Sequence, residues 1–65
     1  MLGYRCFFLG KEGHFSSVAE FKAKGDPEAI ELARHLYMIH VESVQWHYGF
    51  EVWEGARRVY CEPKP

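Results

Sequence analysis

The stretch that decides the fold is Asp26-Pro27-Glu28-Ala29-Ile30-Glu31-Leu32-Ala33-Arg34-His35-Leu36-Tyr37-Met38-Ile39-His40. Asp26 is a good N-cap, Pro27 suits the first helical turn, and Glu28 sits where the helix dipole is positive. At 100° per residue, Glu28, Glu31, Arg34, His35 and Met38 gather on one side. Ala29, Ile30, Leu32, Ala33, Leu36, Tyr37, Ile39, His40 and Val41 fill the remainder. This apolar arc spans roughly 200°, wider than the stripe of about 100° that a helix needs to cover one sheet. The spacing predicts a helix over 27–40, about 21 Å long. Ala29 and Ala33 lie near the middle of the arc and let the backbone approach a sheet closely.

Working outward, two hairpins flank the helix. Residues 2–9 (LGYRCFFL) are rich in β-preferring side chains, and Gly10-Lys11-Glu12-Gly13 is a turn. Over 14–24, Phe15, Ala19, Phe21 and Ala23 alternate with His14, Ser16, Glu20, Lys22 and Lys24, with Val18 the exception on the polar side. Beyond the helix, 43–49 (SVQWHYG) reads either as an irregular loop or as the start of a strand. Phe50 to Trp53 is a strand, Glu54-Gly55-Ala56 a turn, and Arg57 to Cys61 the returning strand. The expected fold is therefore α+β, in the order ββαββ, with one helix across one face of a small antiparallel sheet. One domain is expected over 1–61, with 62–65 a disordered Pro-rich tail.

Length and composition narrow the function. The 65 residues carry eight Lys+Arg and nine Asp+Glu, a net charge of −1, and are 48% hydrophobic and 17% aromatic. Such a chain is neither disordered nor a generally basic nucleic-acid binder. A chain this small buries only about 60% of its unfolded surface, leaving little room for an active site beside a core. The start MLGYRCFFLG lacks the apolar core of a signal peptide, and no run reaches the roughly 18 apolar residues of a membrane helix. A cytoplasmic protein is expected, with Cys6 and Cys61 as reduced thiols.

Chemistry-bearing residues are sparse. His35 and His40 are separated by about 140° around the helix, which is wrong for one metal ion. His40 reads as a half-buried, hydrogen-bonded core histidine, and His14 and His47 have no ligand spacing around them. Protonation of all four would take the net charge from −1 to +3. Gly10 and Gly13 bracket a hairpin instead of opening a helix, so no phosphate loop is present. Cys6 and Cys61 lie in strands, where small thiols serve as packing. No catalytic residue, metal site or cofactor is expected, and the chain does not read as an enzyme.

The apolar surplus points elsewhere. Tyr4, Cys6 and Phe8 face one way along the first strand, while Phe7 and Leu9 face the other beside Arg5. One helix covers only one face, so the other face needs a partner, and the simplest is a second copy of the chain. The expected interaction surface is Phe7, Leu9, Trp53 and Tyr60 on the uncovered sheet face, with Leu32 and Ile39 at the helix margin. A homodimer, or binding to another protein, is the leading expectation. The alternative is a single-stranded nucleic-acid-binding module that stacks bases on these aromatics beside Arg57 and Arg58. Interleaved Glu51, Glu54 and Glu62 count against it, since Glu51 and Arg58 read as an ordinary cross-strand pair.

Several of these features form a familiar layout. Tyr4-Arg5 opens a strand and Gly13-His14 follows a turn; Asp26 precedes Glu28-Ala29 and Leu32-Ala33, and Glu51-Val52-Trp53-Glu54-Gly55 closes with Arg57 and Val59. Over most of its length the chain resembles small uncharacterised proteobacterial proteins of about this size, a family of unknown function. The resemblance implies a bacterial, cytoplasmic origin and carries over no catalytic residue. Tyr37 to Tyr48 departs from the layout in being longer and more aromatic.

Overall fold

The computed structural model describes residues 1–11, 14–44 and 48–63, with the backbone alone at Ser43 and Val44. The elements are β1 (Leu2–Leu9), β2 (Phe15–Ala23), α1 (Asp26–Val44), β3 (Phe50–Glu54) and β4 (Arg57–Glu62). All strand pairs are antiparallel, in the spatial order β2-β1-β3-β4. This is the ββαββ, α+β architecture expected from the two hairpins and the capped helix.

The alternation in β1 separates two environments. Tyr4, Cys6 and Phe8 are buried under α1, and Phe7 and Leu9 are half-buried on the opposite face. Register carries this division across the sheet, because directly opposed residues share a face. Cys6 lies opposite Ala19 and Val52, Tyr4 opposite Phe21, and Phe8 opposite Phe50. Ala29 and Ala33 have no exposed surface and bring the helix backbone close, as their place in the arc predicts. Rings complete the layer: Phe50 lies 4.9 Å from Tyr37 and 5.7 Å from Tyr60, and Phe8 stacks 4.4 Å from His40. The described core contains no buried charged residue.

Several boundaries differ from the sequence expectation. The helix runs on to Val44, so its 19 residues reach about 28 Å, nearly the 31 Å long axis of the molecule. It also begins differently. Ala29 N–H donates to the Gly25 carbonyl, which puts Gly25 at the cap position, and Lys24 N–H donates to the Glu28 carboxylate at 2.9 Å. Asp26 lies inside the first turn and directs its carboxylate to other elements. Glu62 closes β4 and does not belong to a tail. Glu12, Gly13, 45–47 and 64–65 lie outside the described residues, and with them the tip of the first turn, most of the uncertain segment and His47.

Two bulges alter which side chains face which way. Between Phe8 and Leu9 the β1–β2 register shifts, so Leu9 opposes Phe15, and Ser16 Oγ donates to the Phe8 carbonyl. Between Val52 and Trp53 the β3–β4 register shifts, so Val52 opposes Tyr60 while Trp53 opposes Arg58. An inserted residue reverses the face of everything beyond it. Phe15 therefore joins the open face, away from Phe21 and Ala23. Tyr60 turns under the helix.

Candidate functional site: the open face of the sheet

Opposed residues form rows across the uncovered face. One row is Val18, Phe7, Glu51 and Cys61; the next is Glu20, Arg5, Trp53 and Arg58. Leu9 and Phe15 lie opposite one another beyond the first row, and Phe15 stacks on Phe7 with centroids 4.7 Å apart. Phe7, Leu9, Phe15 and Val18 thus make one apolar corner, with Phe15 52% and Val18 51% exposed. A shallow hollow of about 210 Å3 lies among Phe7, Phe15, Ser17 and Val18. Exposed apolar surface of this continuity, on the side that no helix covers, is costly in water.

Charges edge the corner in pairs. Arg5 Nε lies 3.7 Å from Glu20, and Arg58 lies 3.8 Å from Glu51. The indole Nε1–H of Trp53 donates to Glu51 at 2.9 Å, fixing the ring beside the row. At the start of β1, beside Gly3 and Arg5, a wider groove of about 520 Å3 opens between Glu20, Lys22 and Gly55. The Glu51–Arg58 pairing is the cross-strand contact expected from their spacing.

The predicted interaction residues divide over three places. Phe7, Leu9 and Trp53 share the open face. Tyr60 does not: its ring packs on Phe50, its hydroxyl donates to Glu62 at 2.6 Å, and it accepts from Arg34 of the helix at 2.9 Å. The bulge in the β3–β4 pairing accounts for this correction. Leu32 and Ile39 are 37% and 65% exposed, but on the helix, which packs on the other side of the sheet. They cannot share one flat contact with Phe7 and Trp53. The sequence alternation places Phe15 with Phe21 and Ala23, and the extra residue at Ser16 turns it instead to the face of Val18.

The other polar groups tie the layers together. At the helix start, Asp26 accepts from Tyr4 at 2.9 Å and from both Arg57 terminal nitrogens at 3.0 Å, and Arg57 also donates to Glu54 at 2.5 Å. Hydrogen bonding from Arg57, then from Tyr4, holds the Asp26 carboxyl below its ordinary value of 3.8. The bonds to Asp26 and Glu54 push the Arg57 guanidinium upward, and burial, then the bond to Asp26, raises the Tyr4 hydroxyl. A carboxyl lowered in the native state binds fewer protons there than in the unfolded chain. Its stabilisation is complete above the ordinary aspartate range and is lost as pH falls through the native value. We expect the unfolding midpoint of the wild-type chain to approach that of Asp26→Asn below about pH 4. The effect is small because both partners are partly exposed and solvent screens them. Denaturant titrations at several pH values check this; a gap between the two proteins that does not narrow on acidification contradicts it.

The cysteines are chemically quiet in this geometry. Burial pushes the Cys6 thiol up to about 12, so it is not a thiolate at neutral pH. Cys6 faces the helix on β1 and Cys61 faces the open side on β4, with β3 between them, so they stay unpaired. His40 stacks on Phe8, and its buried Nε2 has no hydrogen-bond partner among the described residues, in contrast to the hydrogen-bonded histidine expected. No three His, Cys, Asp or Glu side chains among the described residues gather closely enough to hold a metal ion. No helix among the described residues is long and apolar enough to cross a membrane.

Comparison with protein-family models, with curated proteins and with solved structures gave no match.

Proposed function

We propose that the chain is a non-catalytic protein-interaction module that self-associates through the open face of its sheet. The observation that carries this reading is the apolar corner of Phe7, Leu9, Phe15 and Val18, continuous and uncovered, with Trp53 beside it. A second copy placed on the same face would bury both corners, and the contact would be isologous, each patch meeting itself. The Arg5–Glu20 and Glu51–Arg58 pairs then form the polar rim that such contacts carry.

A nucleic-acid reading has less support. Arg57 is engaged by Asp26 and Glu54, Arg58 lies beside Glu51, and Tyr60 is turned to the helix, so two cations and one aromatic are diverted from a base-stacking surface. The net charge of −1 supplies no general attraction to phosphate.

Light scattering over the micromolar range tests the proposal. The wild-type chain is expected as a particle larger than its 7.6 kDa monomer. Phe15→Glu, at an exposed position, should weaken association roughly tenfold or more by desolvating a charge at the contact. Leu32→Glu, on the helix side, should leave association unchanged. A wild-type mass of one chain at every concentration, or equal effects of the two substitutions, contradicts the open face as the contact.

A further inference from the structure

The outer edge of β2 is a second unsatisfied surface, and it does not rest on the open-face reading. β2 ends the sheet and pairs with β1 alone, so the outward backbone groups of a nine-residue strand meet no neighbouring strand among the described residues. Such an edge is a template for another strand. The opposite edge, β4, has six residues and a bulge near its middle, and its charged groups are engaged by Glu51, Asp26 and Arg34. Bulges and engaged charges blunt an edge. In β2 the register shift lies at the Ser16 end, and pairing with β1 is regular from Ser17 to Ala23.

We propose that β2 pairs antiparallel with β2 of a second copy, on a two-fold axis through Phe21, joining two sheets into one of eight strands. Charge selects this register. With Phe21 on the axis, Glu20 lies opposite Lys22 of the second copy, and symmetry repeats the pair. An axis through Glu20 would set that carboxylate against itself, and an axis through Lys22 would set two ammonium groups face to face. An axis through Ala19 would put Glu20 against Val18 and leave Lys22 opposite Ser16, with no ion pair. Lys22 makes no ion pair among the described residues within its own chain, and Glu20 holds Arg5 only loosely, at 3.7 Å with both side chains more than 60% exposed. Main-chain bonds supply the association, and the two ion pairs fix its register.

The test uses charge exchange in the Phe15→Glu protein, whose substitution lies on the open face and outside the paired segment 19–23. Sedimentation of this protein is expected to give a dimer of the 7.6 kDa chain. Glu20→Lys and Lys22→Glu should each weaken the dimer about tenfold, since each replaces two attractive contacts by two repulsive ones. The double exchange should restore the original dissociation constant to within a few-fold, and dimerisation should slow hydrogen exchange of amides in 19–23. A Phe15→Glu protein that stays monomeric, single exchanges without effect, or a double exchange that fails to recover overturns the edge pairing. If instead Phe15→Glu leaves the wild-type mass unchanged while the exchanges behave as expected, the edge pairing stands and the open-face contact falls.

Discussion

Gly49→Ala should remove about 2–6 kcal/mol of stability, a large share of what a chain of this size has. Gly49 has φ of 108°, and a Cβ there would collide with the backbone carbonyl oxygen of Glu62. The residue has no freedom to move aside. Its N–H donates to the Tyr37 hydroxyl at 3.0 Å, and its carbonyl accepts from Leu9 N–H at 2.9 Å. Helix, first hairpin and last strand thus meet at one backbone position, where only hydrogen fits. Backbone strain of about 1–3 kcal/mol adds to overpacking of about 1–3 kcal/mol. A domain of this size has a total stability of roughly 3–10 kcal/mol, at 0.05–0.15 kcal/mol per residue. Gly55→Ala is the informative control. Gly55 also has positive φ, at 58°, but a Cβ there meets nothing within 4 Å. It should cost only about 1–2 kcal/mol and leave a folded protein. Denaturant melts followed by circular dichroism compare the two, and similar midpoints for both variants would show that the contact with Glu62 is unimportant.

Phe50→Ala is the second large effect. Phe50 has no exposed surface and sits between Tyr37 and Tyr60, opposite Phe8. Truncating a buried phenylalanine costs about 3–5 kcal/mol, the lost transfer energy plus the cavity. In a core of eight buried side chains among the described residues, the neighbouring rings are too large to close such a space. Phe15→Ala removes the same atoms from a position that is 52% exposed, and should cost under about 1 kcal/mol. The difference in urea midpoint between these two variants measures which phenylalanines belong to the core. Equal costs would contradict the division of the sheet into a covered and an uncovered face.

That division was largely legible in the sequence, and its errors share one cause. Alternation in β1 placed Tyr4, Cys6 and Phe8 against Phe7 and Leu9, because a strand without irregularity keeps its period of two. Ala29 and Ala33 marked the helix face by their size. Phe15 and Tyr60 were misplaced because each lies beyond a bulge, and an extra residue in a strand leaves no mark in the hydrophobic pattern. Asp26 carries every local sign of a cap, yet its carboxylate is claimed by Tyr4, 22 positions earlier, and by Arg57, 31 later. Long-range partners of this kind have no signature in spacing. The wide apolar arc of the helix was real, but a single sheet covers only its centre, leaving Leu32 and Ile39 exposed on the far side from the proposed contact.

The open face as a self-association surface is tested most directly by isotope-filtered NMR on an equimolar mixture of labelled and unlabelled chains. Intermolecular cross-peaks are expected from the side chains of Phe7, Leu9, Phe15 and Val18, and from the Trp53 indole. Cross-peaks arising instead from Leu32 and Ile39, or none at concentrations where the labelled chain is fully folded, would contradict it.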